Sequence, residues 1–227
     1  MDPVVAGQAG GKTLQTPKAA GVAGIVAALM LGGVMVLVRI AIPDHSVSTA
    51  TWIADSSSRN ALKVALVLLP YGAISFLWFM GVLRAYIGDK EDKFFATVLL
   101  GSGLLFVAVI LVYGAVASAF LATVDAASPS TQDPVWHYGR HLTVSLLSDY
   151  GSRMAGVFTL TATTIGTRLG ILPRWLSLLG YLVGLVLLLV VSSFLGSEIV
   201  FPCWVLIIGI FLITVRPRNT KPDTNIT

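Results

Sequence analysis

Charge is what this sequence has least of. Only 11% of its 227 residues are charged, 56% are hydrophobic, and the mean hydropathy is +0.85. Soluble domains carry about 25% charged residues. The apolar excess is more than a core of this size can hide from water, so bilayer hydrocarbon is the expected solvent. Cysteine is nearly absent: Cys203 stands alone, which excludes an intramolecular disulfide and any multi-cysteine metal site. The three histidines, His45, His137 and His141, all fall outside the apolar runs, which argues against bis-histidine haem within the membrane. There is no P-loop, no G-x-S-x-G and no H-E-x-x-H, and no cofactor is expected. A formal charge of +4 and a pI near 9.4 resemble a nucleic-acid binder's. A polytopic protein needs basic cytoplasmic loops anyway, so no nucleic-acid partner is expected.

What is present is a series of long apolar runs. A spanning helix needs roughly 20 apolar residues, since the hydrocarbon is about 30 Å thick and a helix rises about 1.5 Å per residue. Six runs qualify: 19–38, 64–83, 94–124, 142–167, 172–194 and 199–215. The first is too long for a signal-peptide core and reads as a retained anchor. Pro70 and Gly72 in the second should bend it. Fully helical, the third would extend about 46 Å, so it must tilt or continue past the membrane. The fourth is the most polar, and the sixth carries Pro202 in its first turn, where proline is tolerated. The sequence therefore predicts an all-α fold: a polytopic bundle of six transmembrane helices over 19–215. A disordered segment, 1–18, precedes it and a polar tail, 216–227, follows it.

Charge sets the orientation. Lys12, Lys18, Arg84, Lys90, Lys93, Arg168, Arg174, Arg216, Arg218 and Lys221 fall on one side of these spans; Arg39, Arg59, Lys63 and Arg140 fall on the other. The positive-inside rule places the richer side, and with it both termini, in the cytoplasm. Trp78 and Trp175 suit an interfacial belt at that face. The expected location is the bacterial plasma (inner) membrane, as a multi-pass protein, with the lipid bilayer as the first partner.

Three stretches carry a likeness. Phe76-Leu77-Trp78-Phe79-Met80-Gly81-Val82-Leu83-Arg84 is one, and the run from Glu91-Asp92-Lys93-Phe94-Phe95-Ala96-Thr97 to Gly101-Ser102-Gly103-Leu104-Leu105-Phe106 is another. Both resemble uncharacterised actinobacterial integral membrane proteins. Gly170-Ile171-Leu172-Pro173-Arg174-Trp175-Leu176 is similar to the start of the fifth helix in a six-helix family of unknown function. Together they cover about a seventh of the chain, as short stretches. The resemblance implies the architecture and no reaction.

Two groups of residues stand out chemically. Asp149 and Arg153, spaced i, i+4 inside the fourth span, lie on one helical face and can pair. Ionisable groups at membrane depth mark polar pathways by default, and a structural pair near the outer leaflet is the competing reading. In the outer third loop, Asp133, His137 and His141 are four apart. On a helix they would share a face, an imidazole and carboxylate set suited to zinc or copper; His45 falls on the same side. Pro134 and Gly139 argue against a regular helix there, and Trp136 and Tyr138 fit an interfacial loop.

Lesser signals concern packing. Thr159, Thr161, Thr163, Thr164 and Thr167 can return their hydroxyls to backbone carbonyls or bond across to a neighbouring helix. Gly180 and Gly184, and likewise Gly166 and Gly170, have the small-xxx-small spacing of close helix contacts, within the chain or in a homo-oligomer or protein complex. Asp89 precedes Asp92 at capping-box spacing. Cys203 reads as a small buried apolar residue. Three functions follow. The first is a non-catalytic accessory or a lipid- or small-molecule-binding bundle. The second is a small transporter or channel-like conduit using the fourth helix. The third is a membrane enzyme with an outer His/Asp metal site.

Overall fold

The computed structural model describes residues 17–41, 52, 55–87, 92–126, 129–189 and 197–214. Among them every regular element is helical: α1 (Pro17–Ala41), α2 (Ser56–Ile87), α3 (Lys93–Ala126), α4 (Pro129–Ser145), a π-helical turn (Leu146–Gly151), α5 (Ser152–Arg168), α6 (Arg174–Leu189) and α7 (Ser197–Thr214). The π turn joins α4 and α5 into one rod, so seven α-helices make six rods. By length and composition α1, α2 and α3 can each cross a membrane; α6 and α7 are shorter apolar helices.

Side-chain polarity explains the helix starts. Asp55 precedes α2, and its carboxylate accepts bonds from the Ser57 N–H (2.9 Å) and the Ser58 hydroxyl (2.6 Å). This N-cap satisfies donors that the first turn would leave free. At the start of α3 the cap is Asp92, which accepts from the Phe94 N–H at 3.0 Å; Asp89 lies outside the described residues. The α5 C-terminus closes through Gly170, at φ 64°. The Ile171 N–H reaches the Gly166 carbonyl (2.9 Å) and the Gly170 N–H reaches Thr167 (3.1 Å). That is a Schellman closure, which needs a left-handed residue. Gly170 therefore serves this turn, not the helix-packing face expected from its spacing with Gly166.

The rods alternate in direction around a closed ring. α1 packs on α2 and α7, α2 on α3, α3 on the α4–α5 rod, and α5 on α6. Glycines set the closest approaches. A Cβ on Gly21 would lie 2.5 Å from Ile213, and one on Gly209 would lie 2.9 Å from the Gly21 carbonyl. The start of α1 and the end of α7 thus touch almost backbone to backbone. Gly180 faces Thr163 and Gly184 faces Leu160, so both glycines anticipated for helix contact pack within the chain, between α6 and α5. In lipid such small-residue contacts carry the helix packing, since burying apolar area gains nothing there.

Three sequence expectations change. The segment from Pro129 is helical despite Pro134 and Gly139. Pro134 sits in the second turn and removes one backbone donor there, and a Cβ on Gly139 would collide with the Phe120 ring. Trp136 is buried, packed at a tilt of 43° against Trp52 at 4.4 Å and near Phe120 at 5.6 Å; the Trp52 indole N–H also donates to the Ala41 carbonyl at 2.7 Å. Trp136 is therefore core and not interfacial. Cys203 is exposed, because α7 turns Phe201, Trp204, Val205, Ile208 and Leu212 inward instead.

Candidate functional site

The middle of the ring is closed by four phenylalanines, one from each of four rods. Phe76 of α2 meets Phe106 of α3 and Phe158 of α5 at 5.2 Å each, and Phe201 of α7 at 5.6 Å. Phe106 and Phe201 approach to 4.8 Å. All four are at most 3% exposed and meet edge to face, the geometry the ring quadrupoles favour. Gly103 admits Phe158 and Met80 at this level; a Cβ there would lie 3.3 Å from the Phe158 ring.

A cavity lies on either side of this phenylalanine septum. The smaller, about 10 Å³, is lined by Met35, Phe106, Leu147, Gly151, Ser152 and Phe201, among others. The larger, about 30 Å³, lies toward the ends of α2, α5 and α7, where Leu83, Tyr86, Ala162, Gly166, Leu172 and Trp204 form much of its wall. Almost all of that lining is apolar. Trp204 is 2% exposed, and its indole N–H has no hydrogen-bond partner among the described residues. An unmade hydrogen bond from a buried donor costs about 1–3 kcal/mol, so a ligand acceptor or water at that wall would be stabilising. Basic residues border this end. Arg84, Arg168 and Arg174 are exposed, each within three residues of a lining residue, and Arg168 sits 4.4 Å above the Phe95 ring.

The threonines of α5 divide by role. Thr161, Thr164 and Thr167 return their hydroxyls to the carbonyls of Val157, Leu160 and Thr163 at 2.7–2.8 Å. Thr167 also bonds Ser177 across to α6 at 2.8 Å, and Tyr181 reaches Thr164 at 3.3 Å. Both modes expected from the sequence are present. Thr159 and Thr163 are fully buried and lack a partner among the described residues.

Asp149 and Arg153 are brought together. The guanidinium donates to the Asp149 backbone carbonyl at 2.6 Å and meets its carboxylate at 3.3 Å. Their side chains are 34% and 44% exposed and point out of the bundle. Asp149 lies within the π turn and Arg153 two residues beyond it, while Leu147 and Gly151 of the turn are buried instead. Such turns are rare and frequent at functional sites, and sequence spacing alone gave no sign of this one.

His137 and His141 lie on the exposed side of α4, one turn apart. Asp133 belongs to the same helix, and His45 lies outside the described residues. Among the described residues no group of three potential metal ligands is found. No protein-family model, curated protein or solved structure matches the chain.

Proposed function

We propose that the chain is a six-span integral protein of the bacterial plasma membrane, with both termini cytoplasmic, that works by binding an apolar ligand, a lipid or small molecule, rather than by catalysis. Several observations support the membrane reading. Val22, Val26, Leu29, Val67, Ile74, Leu182 and Leu185 all lie exposed on the outside of a bundle whose interior is equally apolar. In water so large an apolar face would be an aggregation surface. Lys18, Arg84, Lys93, Arg168 and Arg174 gather at one end of the rods, the end that the positive-inside rule assigns to the cytoplasm. The exposed Trp78 and Trp175 on this side, with Tyr138 and Tyr150 toward the other, suit the two interfaces.

The observation that carries the binding reading is the larger cavity. Its walls are almost all apolar, the Trp204 indole N–H among them has no hydrogen-bond partner within the described residues, and it lies toward the basic end of the rods. An apolar wall with a single orienting polar group is the usual lining of a ligand site, and at about 30 Å³ the cavity must widen to take more than one small group. The conduit reading has one point in its favour, two cavities stacked along the ring. The phenylalanine septum between them and the outward placement of Asp149 and Arg153 speak against it.

Two experiments test the proposal. Cys203 is the sole cysteine, so Cys203→Ala gives a background for single cysteines. An impermeant maleimide added to intact cells should label Tyr138→Cys and spare Arg174→Cys; the reverse pattern overturns the orientation. Native mass spectrometry of the chain in mild detergent should find one retained lipid or small apolar molecule. Ala162→Leu, which fills the cavity, should lose it while melting normally. Retention by that variant as in wild type overturns the cavity as the site.

A further inference from the structure

We propose that His137 and His141 form a chelating pair for a divalent transition-metal cation of the copper–zinc class on the outward face of α4. The observation that carries this is the helix itself. Residues Pro129–Ser145 are helical, so two imidazoles four apart stand one above the other, with Cβ atoms about 5–6 Å apart. Ring nitrogens extended from that spacing can bind one ion at about 2.0–2.1 Å each. The same i, i+4 pair supplies two ligands in helical zinc motifs, and imidazole suits copper and zinc alike. Water can complete the coordination. Asp133 occupies the next position on the same line of the backbone register.

The packing holds the pair in place. Trp136, Gly139 and Thr143 form the buried line of α4, continued by Leu147 of the π turn, and the exposed His137 and His141 sit well round the helix from it. Gly139 is pressed on Phe120 so closely that a Cβ would not fit. Rotating α4 would therefore drive a side chain into that ring, so the face presented to solvent is fixed. Arg140, the nearest cation in sequence, is half-buried and lies nearer the packed side. Preorganisation of this kind lowers the ordering cost of binding.

Height matters as well. Gly139 abuts Phe120, which lies about 40 Å along α3 from Lys93 by helical rise, beyond a hydrocarbon layer of about 30 Å. The pair is thus outside the apolar layer. The metal would come from the outer compartment if the proposed orientation is right; binding itself does not depend on that reading or on the cavity ligand.

The test uses the full chain, purified through a tag without histidine, stripped with chelator and titrated with Cu²⁺ in mild detergent. One equivalent should bind, with nitrogen hyperfine structure in the electron paramagnetic resonance spectrum. His137→Ala and His141→Ala should each weaken binding by roughly 100-fold, as expected when one of two linked ligands is removed. His141→Ala combined with Leu142→His keeps the histidine count but breaks the spacing, and it should bind as weakly as His141→Ala alone. Thermal melting in the absence of metal checks that these variants fold. Three results overturn the proposal: no saturable binding, full affinity in the spacing variant, or binding that is lost with His45→Ala but unaffected in His137→Ala and His141→Ala. The topology and lipid-retention experiments read different residues, so a failure here is distinguishable from a failure there.

Discussion

Replacing Phe76 by alanine is the sharpest test of the septum. The ring has four aromatic neighbours, Phe106, Phe158, Phe201 and Phe79, at 5.2, 5.2, 5.6 and 6.1 Å, and it is fully buried. Each aromatic pair is worth about 0.5–1.5 kcal/mol, and truncating a core phenylalanine costs about 3–5 kcal/mol once the cavity left behind is included. The dispersion and cavity terms survive in lipid even though the solvent-driven term between helices does not. At about 2–4 °C per kcal/mol for a chain of this size, Phe76→Ala should melt roughly 6–20 °C below wild type. Ile74→Ala, on the outward face of the same helix, should stay within about 0.5 kcal/mol. Unfolding in detergent, followed by tryptophan fluorescence, measures both. If Phe76→Ala melts within about 2 °C of wild type, or if Ile74→Ala falls as far, the interior is not held by this ring cluster and the reasoning fails.

Other consequences can be checked in the same preparation. Gly170→Ala forces a side chain into the left-handed region at φ 64° and should cost about 1–2 kcal/mol. Gly101→Ala, where a Cβ meets nothing within 4 Å, should be neutral or stabilise by up to about 1 kcal/mol. Gly209→Leu would press on the Gly21 backbone, which cannot swing aside as a side chain can, and should abolish the monodisperse folded protein on size-exclusion chromatography. Hydrogen bonds from the Ser58 hydroxyl and the Ser57 N–H hold the Asp55 carboxyl below its ordinary 3.8. A depressed folded value means that the cap's contribution is present above 3.8 and is lost as pH falls through the lower folded value. The melting advantage of wild type over Asp55→Ala should therefore fade in acid; an advantage that grew on acidification would contradict the cap. Wild-type protein in sealed vesicles should not dissipate a potassium gradient, and a protein-dependent leak would revive the conduit reading.

Apolar runs were readable because their signal adds up along the chain without reference to neighbours. Helices α1, α2 and α3 sit where those runs predicted, with limits several residues wider. What the sequence could not show is which side of one helix meets which side of another. Phe76, Phe106, Phe158 and Phe201 are ordinary apolar residues in four separate runs, and only the ring arrangement brings them together. Gly139 looked like a helix breaker because the Phe120 ring that requires it is distant in sequence. Trp136 looked like an interfacial residue for the same reason, because Trp52 and Phe120, which bury it, are distant in sequence. Gly170 was misread more locally: a spacing pattern was preferred over the Gly-x-x-Pro signal of a helix end.

The pair Asp149 and Arg153 shows how far one irregular turn can move a functional reading. Their spacing correctly implied a mutual contact, and their place inside a span left two readings open, a polar pathway or a structural pair near the outer leaflet. An uninterrupted α-helix would turn the exposed line by about 120° over the twelve residues from His141 to Arg153. Arg153 would then swing from the outside toward neighbouring rods. The π turn at Leu146–Gly151 accommodates one extra residue and takes back about 100° of that rotation. The outward line of α4 therefore continues almost straight into Asp149 and Arg153, while Leu147, Gly151 and Ala155 remain buried. With the charges kept outside, the interior is left to the phenylalanines. A site for a hydrated ion is harder to build there than one for an apolar ligand, because rings already packed edge to face on one another supply no oxygen to replace the ion's water.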